Sequence, residues 1–459
     1  MLTHLKLENF KIWRSTGPLR LAPLTLLLGT NSSGKSSLIQ SLLLIRQTVK
    51  SDDPNLDLNL GNPDNDSNKP DSVTLGQFQD VLCRSASASS STAANQFGIE
   101  FRWAEKYDGS DSSLFSARYR KGTSNSAELD ALRLGKDEQG FTVTRRKAGI
   151  YQLSLANQRR PLGQSADFRP ERSFAFSAAT LNKLGKQAEA IKDIGPELLD
   201  ELSRIIYLGP VRRLAQRDYV WSGRMPAHIG DDGAKAIDVL IASGVEYQQQ
   251  KKTGAAISGD ALLFEHTINW LKTMNLADGL TVKQLGRSAR YELQIINHNE
   301  ASNLKDVGVG VSQVLPVIVA ALFAKPNHIV IIEEPESHLH PLAQSQLAEL
   351  FSQVSHERGV QFIIETHSEH LLTRLQRRVA EQKIQADTLA MYFVERDGIK
   401  AKINTLKLDD YGEISNWPEN FFGDEMGDIA ARTIAAMKRK IDEKKSQHLR
   451  KVENECGSN

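Results

Sequence analysis

Gly29-Thr30-Asn31-Ser32-Ser33-Gly34-Lys35-Ser36 has the spacing of a phosphate-binding loop, G-x-x-x-x-G-K-[ST]. Each residue type has a task in that chemistry. The glycines let the backbone wrap closely, so that N–H groups along Gly29, Asn31, Ser32, Ser33, Gly34 and Ser37 face phosphate oxygens at a helix N-terminus. Lys35 neutralises the β- and γ-oxygens of a bound ATP, and the Ser36 hydroxyl sits on its Mg²⁺. Far along the chain, the apolar run 329–332 ends in Glu333-Glu334-Pro335-Glu336. A buried strand that delivers carboxylates to its end suits ATP hydrolysis. Glu333 supports the Mg²⁺ shell, and Glu334 orients and deprotonates the attacking water.

Such a loop works only between a strand and a helix, and its flanks have those periods. Residues 24–28 are wholly apolar, as in a fully buried strand, and 36–49 repeat apolar residues at helical spacing. The N-terminal residues 2–7 alternate like a half-buried strand. Further strands are expected at 205–208, 329–332 and 362–364, with a helix at 342–355 between the last two, the parallel crossover unit of an α/β sheet. A hairpin is expected over 389–406, split by Arg396-Asp397-Gly398. Between about 96 and 200, short alternating segments predict antiparallel strands followed by helix near 179–205. The tract 51–71 holds six Asp, five Asn and three Pro, too little apolar surface to order itself, so it is expected to be a mobile loop. Residues 85–95, nearly all Ser and Ala, read as a second loop. The resulting division is 1–50 and 205–425 for the two parts of an ATPase, 51–204 for an inserted lobe, and 426–459 for a basic C-terminal helix and tail.

The segment 333–341, Glu-Glu-Pro-Glu-Ser-His-Leu-His-Pro, resembles the acidic strand end and following loop of the ABC ATPases grouped with RecF, SMC and OLD proteins. Ile364-Glu365-Thr366-His367-Ser368 is similar to their switch-histidine loop, and Val307 to Pro316 to their degenerate signature motif, with Gly310 to Gln313 carrying the match. The resemblance covers about residues 1–50 and 205–425. It implies an α/β fold, an ABC-ATPase head with a mixed, largely parallel sheet flanked by helices, plus an inserted α+β lobe. It also implies that His367 contacts the γ-phosphate, and that Gly310, Ser312 and Gln313 are offered to the nucleotide of a second protomer. Glu333 stands where an Asp is usual in this group, and Ser312 where a glycine is usual. The glutamine that reaches the metal in this family is either Gln77 or Gln79. Asn9-Phe10-Lys11 and Trp13 occupy a position that contacts the base or phosphates in some members, and a packed β-turn is the equal alternative. His338 and His340, two residues apart with no evident third partner, make a poor metal pair.

Composition narrows the setting. The chain has 459 residues with a net charge of +1, so any nucleic-acid binding must come from local patches. Cys83 and Cys456 make neither a disulfide framework nor a zinc cluster and fit a reducing compartment. No signal peptide or membrane-spanning run is evident, so the expected location is the cytoplasm, with no membrane partner. Basic residues from Lys438 to Lys451 suit a solvated helix face, DNA phosphates or a partner protein, and Arg212, Arg213 and Arg217 form another basic cluster that in an ATPase could equally support the nucleotide site. Tyr207 to Arg212 and Asn416 to Phe422 further resemble stand-alone prokaryotic ATPases, including the ATPase subunit of Septu-type anti-phage systems. That likeness implies a homodimer or higher homo-oligomer and an operon-encoded effector such as an HNH nuclease. A RecF-like repair clamp that binds DNA is the alternative. An OLD-type nuclease is disfavoured, because only about 90 residues follow His367 and they hold no D-x-D on an apolar strand. A transporter subunit would lack the large lobe, and an SMC protein would carry long heptad arms.

Overall fold

The strand 24–29 and the helix after it are both almost wholly buried, and this decides the architecture. In the computed structural model, which describes residues 1–61, 72–83, 95–104, 112–398, 400–418 and 437, Leu24–Gly29 is the fourth of six strands in one sheet. The order is Ile205–Leu208, Ile329–Glu333, Gln361–Glu365, Leu24–Gly29, Leu389–Asp397, Lys400–Thr405. The first five run parallel and the last returns antiparallel as the expected hairpin. Central parallel strands are covered on both faces, which is why 329–332 and 362–364 are apolar without alternation. The helix Pro341–Arg358 makes the crossover between them.

The helix Lys35–Val49 is buried nearly all round, including Ser41, Gln47 and Thr48. A helix buried on every side must lie between two layers. One is the parallel sheet, through Leu27, Ile331 and Ile363. The other is a nine-stranded antiparallel sheet, through residues such as Leu5, Phe101, Phe115 and Leu132. The expected antiparallel strands of 96–165 are all in that second sheet, and Leu2–Phe10 pairs directly with Gln96–Ala104. The N-terminal strand therefore continues the sheet of the segment assigned to an inserted lobe. Met1–Ser415 forms one compact unit and Asn416–Asn459 another. Gln361, fully buried, ties the layers: its side chain accepts from Leu2 N at 2.9 Å and donates to Leu2 O at 2.7 Å and Ala22 O at 3.1 Å. A smaller sheet around Gly279–Gln284 and Arg290–Asn297, with the helices Ala236–Thr253 and Ala261–Thr273, forms a further part of this unit.

The tract expected to be a mobile loop is anchored over 51–61 by polar side chains, its own Asp57 and the neighbouring Gln47. Buried Asp57 accepts from Leu129 N at 2.9 Å and pairs with Arg169 at 3.0 Å, and Gln47 binds the carbonyls of Asn59 and Val73. Composition counted apolar burial and missed this route to order. Residues 62–71, 84–94 and the basic helix over Lys438 to Lys451 lie outside the described residues. Among the described residues no helix is long and apolar enough to cross a membrane.

Candidate functional site

In a parallel sheet every strand ends at the same edge, and ligands bind in the crevice outside those ends. Here that edge collects Gly29, Glu333 and Glu365. Gly29 has φ 136°, and a Cβ added there would lie 2.0 Å from the carbonyl oxygen of Val394, so only glycine lets the loop leave the sheet beside that strand. Gly34 (φ 112°) caps the following helix, and Trp13 Nε1 donates to its carbonyl at 3.2 Å. Trp13 and Phe10 are fully buried, and Asn9 and Lys11 adopt left-handed turn conformations. Trp13 thus packs in this turn and holds the loop through the Gly34 carbonyl.

Lys35 is only 3% exposed, and its ammonium donates to the carbonyls of Gly29 at 3.1 Å and Thr30 at 2.9 Å. Burial holds its pKa below the ordinary lysine value, with Glu365 and Glu334 opposing that shift. Ser36 Oγ donates to Glu365 Oε1 at 3.1 Å and is also within hydrogen-bonding reach of Glu333. Glu333 accepts from the Tyr207 hydroxyl at 2.7 Å. Burial raises the pKa of both strand-end carboxyls, and Glu365, also repelled by Glu333, reaches about 7. Glu334 follows in a left-handed conformation (φ 47°), held by its N–H to Glu365 O at 2.8 Å. Arg212, 4% exposed, donates from Nη2 to the carbonyls of Glu333 (2.7 Å) and Glu334 (2.9 Å). Buried Glu336 accepts from His367 N at 2.6 Å, so the histidine loop is tied to the acidic strand end. His367 faces solvent, and partial burial with nearby Lys35 lowers its pKa, which favours the neutral ring.

These contacts bring Gly29, Gly34, Lys35, Ser36, Glu333, Glu334 and His367 to one edge. Asn31 and Ser32 are solvent-facing in the loop, Ser33 Oγ is buried with no partner among the described residues, and Ser37 N donates to Gly34 O at 3.1 Å in the first helical turn. Gly310, Ser312 and Gln313 are elsewhere, in the first turns of the helix Val309–Phe323. A Cβ on Gly310 would meet the His338 carbonyl at 2.7 Å, Ser312 bonds back to Val309 O, and Gln313 is buried. The open part of that helix start is Gly308 and Val309. Gln77 caps the short helix Phe78–Val81 and accepts from Asn125, while Gln79 is exposed on that helix. His340 caps Pro341–Arg358 through Leu342 N, a structural task.

Sequence reasoning missed Glu365, Tyr207 and Glu336 as parts of this edge, whereas Arg212, read as an equal candidate to support the nucleotide site, lies at it. Glu365 carried one usable signal: it ends an apolar strand as Glu333 does. Ser36, Glu333 and Glu365 suit Mg²⁺, a hard cation that binds one or two carboxylates and keeps waters and phosphate oxygens as its other ligands. Glu365 Oε2 is buried and receives no donor among the described residues, which fits such a cation.

Residues 232–372 match the family described as AAA ATPase domain, and 384–431 match a protein family of unknown function (DUF3696). No curated protein matches. The SMC head domain from Thermotoga maritima is similar at 12% identity over 89% of this chain and 99% of that one, with a TM-score of 0.41. The Smc head domain with an extended coiled coil, bound to the C-terminal domain of ScpA and derived from Pyrococcus furiosus, gives 13% identity, 88% and 96% coverage and a TM-score of 0.42. The segment that matches the AAA ATPase domain family takes in Glu333, Glu334, Glu365 and His367.

Proposed function

We propose that this protein is an ATP-hydrolysing enzyme of the ABC type, its nucleotide held between two copies of the chain, and that it serves as the regulatory subunit of an anti-phage system with a separate effector nuclease. The convergence of Glu333 and Glu365 on Lys35 and Ser36 carries the ATPase part of this reading. The defence role rests on the resemblance of Tyr207 to Arg212 and Asn416 to Phe422 to such ATPases.

Phosphate oxygens would replace the carbonyls of Gly29 and Thr30 as acceptors for Lys35. Loop N–H groups, with the N-terminus of Lys35–Val49, cradle the β-phosphate. Ser36 and Glu333 would hold Mg²⁺, which would supply positive charge beside the transferred phosphoryl group. Glu334 takes the proton of the attacking water, and His367, neutral at physiological pH, hydrogen-bonds to the γ-phosphate. The exposed helix start at Gly308 and Val309 is the surface left for the partner's nucleotide, with Gly310, Ser312 and Gln313 fixing its shape.

The test is the native mass of Glu334→Gln, expressed with its neighbouring genes, with and without MgATP. The variant is expected to bind ATP, fail to hydrolyse it and accumulate as a dimer or larger assembly carrying a second gene product. A bare monomer that dimerises only with ATP and DNA would favour the repair clamp. Wild-type turnover would move the catalytic base elsewhere.

A further inference from the structure

Glu333 and Glu365 are register partners on adjacent parallel strands, so their side chains leave the same face of the sheet edge. Both are at most 6% exposed. Two buried carboxylates so placed repel unless a proton or a cation lies between them. Lys35 does not fill that role well: its ammonium is 3.7 Å from Glu365 Oε1, farther than from the carbonyls it serves. A nucleotide polyphosphate adds more negative charge to this edge and needs a cation to enter with it.

We infer that Glu365 is a ligand of the divalent cation that accompanies the nucleotide, joining Ser36 and Glu333 in the place that family resemblance assigns to Gln77 or Gln79. The inference rests on the nucleotide-binding reading above. Three observations support it. Ser36 Oγ, the metal-binding hydroxyl of the loop, already bonds to Glu365 at 3.1 Å. Glu365 Oε2 is buried and receives no donor among the described residues. Ser36 Oγ bonds to Glu365 and not to either glutamine: Gln77 is occupied by Asn125 and its helix cap, and Gln79 is exposed. The main chain of Glu365 is fixed as well, since its carbonyl accepts Glu334 N at 2.8 Å, so the ligand and the proposed base move as one piece.

The experiment uses the full chain and Mn²⁺, with free Mn²⁺ read by electron paramagnetic resonance in the presence of ADP. Glu365→Gln keeps the shape and removes the charge. Losing a metal-positioning group costs about 10–100-fold in metal affinity, and the variant is expected to lose at least that lower bound. ATP binding in EDTA is expected to be as tight as wild type or tighter, because a buried like charge is gone. Unchanged Mn²⁺ affinity, or equal loss of Mn²⁺ and of metal-free ATP binding, would overturn the inference; the second result would make Glu365 a support for the loop. Glu365→Cys gives a direct check of contact, since a thiolate favours Cd²⁺ over Mn²⁺. Its preference is expected to shift toward Cd²⁺ relative to wild type, and no shift in a folded variant also counts against ligation. If the wild type itself binds no nucleotide, the ATPase reading falls and this inference falls with it.

Discussion

Arg212→Met sets two opposing effects of similar size against each other, and their balance tests how the proposed base is held. The guanidinium donates to the carbonyls of Glu333 and Glu334 at 2.7 and 2.9 Å. Hydrogen bonds from a charged donor contribute about 1.5–3 kcal/mol each, so removing both costs about 3–6 kcal/mol. Against this, burial lowers the arginine pKa from 12.5 to about 10. That is a charging penalty of about 3 kcal/mol, which methionine of similar length does not carry. The net loss is about 0–3 kcal/mol, and the chain stays folded. The local effect is larger. The left-handed backbone of Glu334 costs about 1–2 kcal/mol, and Arg212 supplies one of the three main-chain hydrogen bonds that hold it, beside those with Glu365 O and Ser337 N. Once released, Glu334 relaxes, and a misplacement of about 1 Å costs about 100-fold in rate. The expected result is kcat down by about 100-fold with nucleotide Kd within about threefold, measured by steady-state phosphate release and by titration with a fluorescent ATP analogue. Arg212→Lys, which keeps the charge but not the fork, is expected to recover part of the rate. Full-rate hydrolysis by folded Arg212→Met would refute the argument that this bond positions the base.

Lys35→Ala removes the main counter-charge for the γ-phosphate. Two charge-assisted bonds at about 1.5–3 kcal/mol each predict a Kd for MgATP weaker by at least about 100-fold by calorimetry. Normal affinity would overturn the loop assignment. The Glu365 carboxyl titrates near 4.5 when unfolded and at about 7 in the fold. A raised carboxyl pKa contributes stability that is complete below 4.5 and is lost as pH rises through 7. The ligand-free melting temperature is therefore expected to fall between about pH 5 and pH 8 more steeply in wild type than in Glu365→Gln, by scanning calorimetry. Parallel pH profiles would show that Glu365 is not the group responsible.

The phosphate loop, the apolar strands and the crossover helix were legible because each depends on neighbours in the chain. Glycine spacing, helical period and an apolar run ending in acids are local codes, read without knowing what packs where. The same logic failed at 51–61, where Asp57 is ordered by Arg169 from far along the chain. It also separated Leu2–Phe10 from strands with which it shares a sheet, because pairing partners leave no local trace.

The sequence by itself determined the chemistry on offer: a cradle for phosphates, a lysine, a hydroxyl, and acids at a strand end. Only the tertiary structure decided which strand ends meet. Placing Gln361–Glu365 between Ile329–Glu333 and Leu24–Gly29 puts Glu365 against Ser36, and placing Ile205–Leu208 outside them brings Tyr207 and Arg212 to the acidic end. Those contacts span more than 100 residues of chain. Sheet order is set by the total burial of both faces of every strand, a property of the whole core that no window of sequence contains.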